Sequence, residues 1–486
     1  MSRIITNVPS LIAQRTLQNQ NIALATSLER LSTGLRINRG ADDPAGLIAS
    51  ESLRSEKIAI STAISNAERA EQVVNVAEGG LQEISSMLIE LQGLVGASAN
   101  ESGLSQEEKD ANQLQIDSIL QTIDRIANMT SFKGTKLLNG NFDYTTSGIN
   151  ESQLSEVTIN AAKLPTSSGA YMTVNLDVVQ SAQTGSVFLS TGSAFDVSGQ
   201  AYTIEITGNL GTQQFTFASN TSQSDIIDAI NQFKDVTGVS ATQDTTDTAM
   251  VNLRATTYGS TQFVSAKYLD GNQDNLIYDE GRANAANEKK DYGRDATLLI
   301  NGTQATTDGL TARVSSEGLD VEITIDTSIN SDGQTSSFYV TGGGATFSLA
   351  PNVNLAGKVS IGIETVTTGN LGTSTLGYIS SLKSGGTNNL VTGDIEQAKL
   401  VVDESVKQVA SLRGRLGSFQ ANTVGSTIRN LGVTFENTAA AEGQIRETDF
   451  AAETANLTRS QILVQAATQV LSIANLQPQN VLALLG

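Results

Sequence analysis

Cysteine, histidine and tryptophan are all absent from this chain of 486 residues. Without cysteine there are no disulfides, zinc–thiolate sites or thiol nucleophiles, and no sign of the redox compartment. Without histidine the commonest general base and the commonest metal ligand are missing. Aromatic residues make up only 5%, so the cores must be built mainly from Leu, Ile, Val and Ala. Lys and Arg number 30 against 50 Asp and Glu, a formal charge of −20. That acidity argues against nucleic acid or an anionic membrane as main partner, because both need clustered cations. Long apolar runs are missing too. No segment approaches the ~18 residues that span a bilayer, and the first residues offer no stretch for a secretory signal. An extracellular protein of this kind must leave by a route that ignores such signals.

What is present is heptad patterning at both ends. From Leu53 the places Glu56, Ile60, Ala63, Ala67, Ala70, Val74, Ala77, Leu81, Ile84, Leu88, Leu91 and Val95 follow alternating steps of three and four, and only Glu56 is polar. A helix so written carries a narrow apolar seam that another helix must cover. The pattern predicts one helix from about 45 to 98, some 80 Å at 1.5 Å per residue. Asp42 or Asp43 caps it with Pro44 at its first position, and Gly79, Gly80 and Gly93 are its weak points. An earlier seam runs Leu17, Leu24, Leu28, Leu31 and Leu35, with Asn21 in the intervening place. Ser105 and Glu108 form a capping box before a helix with Ile116, Ile119, Ile123 and Ile126 on one face.

Composition then changes. All nine Tyr and 27 of the 43 Gly lie between 140 and 390. Period-two runs at 202–206, 215–217, 251–255 and 319–325 predict half-buried strands. Lys133–Gly134, Asn139–Gly140, Asp270–Gly271, Asn301–Gly302, Asp308–Gly309 and Asp332–Gly333 predict turns. Ser222 and Asp225 are set to cap one helix among the strands. The strands divide into modules near 185–270 and 290–385. Helical period returns at Ile395, Ala398, Val402, Val409, Leu412, Leu416 and Phe419, and a last seam runs Leu463, Ala466, Val470 and Ile473 before an apolar tail containing Leu482 and Leu485. Neither end covers its own seams, so the two must meet. The expected class is α+β multidomain: a terminal coiled-coil and bundle made from both chain ends, with an inserted β-rich middle. The boundaries are 1–40 with 455–486 for the coiled coil, 41–140 with 391–454 for the long-helix bundle, and 141–390 for the middle.

These residues resemble the bacterial flagellins. The likeness rests on 28–38 (LERLSTGLRIN), 42–46 (DDPAG), 77–84 (AEGGLQEI) and 132–138 (FKGTKLL). At the other end it rests on 445–450 (IRETDF), 459–463 (RSQIL) and 478–485 (PQNVLALL). It covers about 1–140 and 394–486, and 187–268 is similar to a β-rich module that several flagellins insert. The resemblance implies a subunit that polymerises with itself into the extracellular filament of the flagellum, serving motility. The terminal helices would mediate assembly through Leu17, Leu24, Leu28, Leu31, Leu35, Leu463, Val470, Ile473, Leu482 and Leu485. It further implies export by the flagellar type III apparatus, a chaperone on the C-terminal segment, cap and hook-junction proteins as partners, and co-assembly with sister flagellins. No cofactor is implied.

One departure stands out. In flagellins recognised by Toll-like receptor 5, the stretch matching Leu88, Ile89, Glu90, Gln92 and Leu94 usually carries arginines. Here Glu90 and Gln92 hold the basic places and Gly93 an acidic one, so weak or absent receptor activation is expected. Among other readings, an enzyme lacks any constellation to do chemistry, and the metallopeptidase insert of some flagellins needs histidine. A hook–filament junction protein shares similar ends, but the tail from Pro478 and the large insert favour the filament subunit. An adhesin would need a binding surface, where the Ser- and Thr-rich middle reads as a solvated shell or a glycosylation substrate. The sequons at Asn100, Asn128 and Asn150 read as chance.

Overall fold

The structure is a computed structural model that describes residues 6–100, 103–164, 171–190, 201–218, 221–269, 277–279, 285–316 and 318–483, with side chains of 285 and 478–483 not among them. Helices α1 (Val8–Thr33), α2 (Pro44–Ser98) and α3 (Gln106–Met129) come first. Strands from Ser131 to Tyr378 follow, interrupted by α4 (Gln223–Asn231) and the short α5 (Lys234–Thr237). The chain closes with α6 (Ile395–Ser418), a π turn at Phe419–Val424, α7 (Gly425–Arg446) and α8 (Phe450–Ala483).

Local chemistry sets the ends of these helices. Asp43 Oδ1 accepts the Gly46 N–H at 2.9 Å beside Pro44, and Ser105 and Glu108 form the reciprocal capping box. Ser222 Oγ accepts from Asp225 N at 3.2 Å. The seam of α2 is buried at all eleven expected places from Ile60 to Val95, while Leu53 is half-buried and Glu56 exposed. Gly80 does not weaken the helix. A Cβ there would sit 2.6 Å from Thr130 Oγ1 and 2.8 Å from Leu138 Cδ1, so this glycine admits a neighbour.

Contacts divide the chain into two units: 1–71 with 348–357 and 421–486, and 72–347 with 358–420. Two of the changeovers, at 71/72 and 420/421, fall inside the long helical runs. Composition cannot reveal them, because helical residues continue through both.

In the second unit, α2 is tied to α6 by Gln92 Nε2 to Asp403 (2.6 Å) and Arg413 to Glu78 (2.8 Å), and to α3 by Gln115 Nε2 to Glu90 (2.9 Å). The β-rich middle forms two sandwiches. The first stacks a five-stranded sheet, ordered 285–286, 277–278, 186–190, 250–255 and 239–243, near a four-stranded one, ordered 288–292, 263–268, 202–208 and 212–217. They share one core with α4. The second is built from 303–304, 297–300, 172–180, 335–343 and 144–147 on one side and 306–308, 311–315, 319–325 and 154–162 on the other. Strict alternation of buried residues along Tyr202–Gly208 matches the period-two reading. Asn301 (φ 50°) and Gly302 (φ 77°) make the expected tight hairpin. The turn expected at Asp270–Gly271 lies outside the described residues.

The expected modules near 185–270 and 290–385 need correction. The first extends to 292, and the second is discontinuous: strands 144–147, 154–162 and 172–180 pair with strands after 294. Pairing across more than a hundred residues leaves no trace in local periodicity. The first sandwich is therefore inserted into the second, and its two ends adjoin. Gln183 and Arg294 form an antiparallel bridge, with N–H to O distances of 2.8 and 2.9 Å. Excising 184–293 and closing the bridge with a Gly-containing turn should leave the second sandwich folded. Calorimetry should place its Tm within about 5 °C of the parent; loss of its transition would refute the nested arrangement.

Candidate assembly surface

The sequence motifs near the two termini meet in the first unit. Gly34 ends α1 in the left-handed conformation (φ 72°), and Leu35 bridges to Glu447. Arg36 N donates to Arg446 O at 2.7 Å, and Thr448 N to Gly34 O at 2.9 Å. Asp42 accepts the Asn38 and Arg39 N–H groups at 3.0 and 2.8 Å, and these hold its carboxyl below the usual carboxylate range. Lys57 to Glu442 (2.5 Å) and Arg446 to Glu51 (2.7 Å) join α2 to α7, around a small core of Ile60, Ala63 and Leu431.

Beyond this corner α1 and α8 run antiparallel. Asn7 caps α1 and also donates Nδ2 to Ala474 O at 2.8 Å, while Arg30 pairs with the buried Glu453 at 3.7 Å. The covered face of α1 is Ser10, Ala13, Leu17, Gln20, Leu24, Ser27 and Leu31, in steps of three and four. That of α8 is Glu453, Leu457, Ser460, Val464, Ala467, Leu471 and Ala474, in the same steps. On α8 the small Ser460, Ala467 and Ala474 alternate with Leu457, Val464 and Leu471, and on α1 the most buried places are Ala13 and Ser27, a pattern that lets two helices approach closely.

The structure therefore splits the expected interface residues. Leu17, Leu24 and Leu31 face α8 and are half-covered, and Leu35 sits in the corner. Leu28 is 50% exposed and Asn21 exposed, because the true seam passes through Gln20 and Ser27 instead. Leu463, Val470 and Ile473 are 41, 56 and 62% exposed. Ile462 and Leu476 share their exposure. On α1 the outward apolar residues are Val8, Leu11, Ile12 and Ile22. Leu482 falls in the last turn of α8 with its side chain outside the described residues, and Leu485 lies outside them. Sequence reading missed the inner α8 seam because apolar residues lie on two faces of this helix, so its periodicity offers two ladders and selects neither. An apolar groove of about 490 Å³ opens between Ile12, Ala13, Thr16, Leu463, Ala466 and Val470. Pairing covers one stripe of each terminal helix and leaves a second in water.

The stretch expected to match the receptor site presents only part of itself. Leu88 is buried, Ile89 and Glu90 point outward, and Gln92 and Leu94 are half-buried.

A second cavity, about 780 Å³, opens in the second unit against the second sandwich and is lined by Asp143, Glu151, Glu156, Asp326 and Glu364. Arg415 reaches its margin, donating to Glu364 at 3.0 Å, to Gly362 O and to Asn160. Burial, then the Glu364 charge, pushes the Asp143 carboxyl up; burial, then Glu404, Glu322 and Glu364, does so for Glu156. A carboxylate whose folded pKa lies above its unfolded value favours the folded state when protonated. Its penalty grows as pH rises from the ordinary carboxylate range through the raised values, then levels off. Glu156→Gln should raise the pH 7 Tm by about 1–2 °C, with the gain shrinking towards pH 4. A calorimetric series showing the opposite slope would refute this. Among the described residues no group of carboxylates could hold a metal ion, and no helix is long and apolar enough to cross a membrane.

Comparison with known proteins supplies the context. A family profile described as bacterial flagellin N-terminal helical region matches residues 4–143, and the C-terminal helical region matches 400–485. A third, the flagellin hook IN motif, matches 203–257, within the inserted sandwich. Flagellin A of Helicobacter pylori is 29% identical over 520 residues, covering 95% of both chains. Flagellin of Salmonella typhimurium is 27% identical over 535 residues, covering both completely. The solved structure of FliC from Burkholderia pseudomallei aligns at a TM-score of 0.24 with 12% identity, covering 72% of this chain and 99% of that one, a likeness too slight to add anything.

Proposed function

From the premise that this chain belongs to the bacterial flagellin family, we propose a physical account of how its ends drive polymerisation. The protein is a structural subunit, not an enzyme, of the extracellular flagellar filament used in motility. The carrying observation is the outward stripe of α8, Leu463, Val470 and Ile473, beside that of α1. A helix of about 30 residues is marginal alone in water. Covering its second stripe with another copy, at about 25 cal/mol per Å², offsets the entropy of holding it in place. Contacts of this kind are head-to-tail and do not close on themselves, which yields a filament. Polymerisation is then cooperative, with the terminal pair opening and closing in the free chain and settling in the polymer.

Export through the flagellar type III apparatus is the route that family membership suggests. A chaperone on α8 would cover the same stripe before assembly. Cap and hook-junction proteins, and sister flagellins, would meet it at the filament ends or along its length.

Activation of Toll-like receptor 5 should be weak. Glu90 presents negative charge where recognised flagellins carry arginine, and it is held by Gln115. Charge reversal at an interface hot spot costs several kcal/mol, about a hundredfold in potency. A reporter-cell assay with purified protein measures this, and full-strength signalling would contradict it.

A further inference from the structure

The carboxy-terminal helical run changes phase at one point. Ser405, Leu412 and Phe419 are buried and spaced by seven, and so are Val424, Leu431 and Thr438. Between the two sets lies a step of five where the heptad calls for four. That step is the π turn Phe419–Val424, which holds one residue more than an α turn. On α2 the buried places from Ile60 to Val95 keep the heptad without interruption. The extra residue belongs to the carboxy-terminal run alone.

Neither flank can absorb the mismatch by turning. One residue corresponds to about 100° of rotation. Carrying the phase of α6 forward would bring Thr423, Asn430 and Asn437 inside in place of Val424, Leu431 and Thr438. Carrying the phase of α7 backward would bring in Arg413, Asp403 and Lys399. The skip is therefore confined between Phe419 and Leu431.

Within that window the sequence fits both phases. Thr423 and Val424 are adjacent β-branched residues of the same shape, and so nearly are Thr427 and Ile428. Either member of each pair can face inward at modest cost, and Thr427 and Ile428 are both half-buried already. The carbonyls where the ladder changes step have hydroxyl donors at hand. Thr427 Oγ1 donates to Thr423 O at 2.6 Å, and Ser426 Oγ donates to Asn422 O and, at 3.3 Å, to Thr423 O. We propose that this chain carries a single skip residue that moves between two successive turns, 419–424 and the turn after it, while α6 and the rest of α7 keep their phase. The device lets a long helical run adjust locally without unseating either buried seam.

The test uses the full chain, dilute enough to stay unpolymerised. Deleting Ala421, an exposed residue of the π turn, makes the heptad continuous from Ala398 through Thr438. Its Tm should equal or exceed that of the parent. Deleting Ala410, equally exposed, throws Leu412, Leu416 and Phe419 out of phase and should lower Tm by at least about 5 °C. Amides of 423–429 should exchange at least about tenfold faster than those of 410–416 in the parent. The pair Thr423→Asn and Thr427→Asn, which bars the second turn, should shrink that contrast. If the Ala421 deletion melts as low as the Ala410 deletion, there is no skip. If amides of 423–429 are as protected as their neighbours, or the double variant leaves their exchange unchanged, the skip does not move.

Discussion

Removing residues 1–35, or residues 455–486, should abolish polymerisation and leave a soluble, folded middle. Each truncation takes one partner from the α1–α8 pair, so the remaining helix loses its covered stripe along with the outward one. The sandwiches do not depend on that pair. Their two cores are closed by residues between Tyr144 and Val340 alone. The concentration needed for assembly should rise by at least about a thousandfold, some 4 kcal/mol per subunit contact. Sedimentation with electron microscopy reads the loss of filaments, and calorimetry reads survival of the middle. Filaments from either truncation would show that the ends are dispensable.

A finer expectation separates folding from assembly on a single helix. Val470→Asp with Ile473→Asp places charge on the outward stripe of α8, at two residues that are both more than half exposed. The free subunit should keep its Tm within about 1–2 °C, since exposed positions away from caps and cores change stability little. In a polymer the same carboxylates would be buried without partners, which costs several kcal/mol each. Assembly should therefore fail by at least about a hundredfold. Ala467→Asp, one turn away on the covered face, should instead open the terminal pair and expose α8 to protease. Equal effects of the outward and inward changes would mean that the two stripes are not distinct.

The helices were legible where one strong ladder ran alone. The stretch from Ile60 to Val95 offers a single 3–4 series with polar neighbours, so both its extent and its buried face follow from spacing. On α1 the outward Leu28 lies one residue from the buried Ser27. Leucine drew the expected seam through Leu28 rather than through the face paired with α8, because close helix pairs bury small residues. On α8 apolar residues on both faces make two ladders, and only the position of α1 decides between them. In the middle, strands and turns were legible from period and dipeptides, but their nesting was not. It depends on pairings such as that of 154–162 with 319–325, whose partners are remote in the chain. The phase change at Phe419 was present in the residues as a step of five. It shows only once burial marks both flanks.

Amide hydrogen exchange in α1 and α8, compared between the dilute subunit and seeded filaments, bears most directly on whether other copies cover the second stripes. Protection at Ile12, Ile22, Leu463, Val470 and Ile473 should rise at least about a hundredfold on polymerisation, while the seam from Ile60 to Val95 changes little. Terminal helices already as protected in the lone subunit as in the filament would contradict the account.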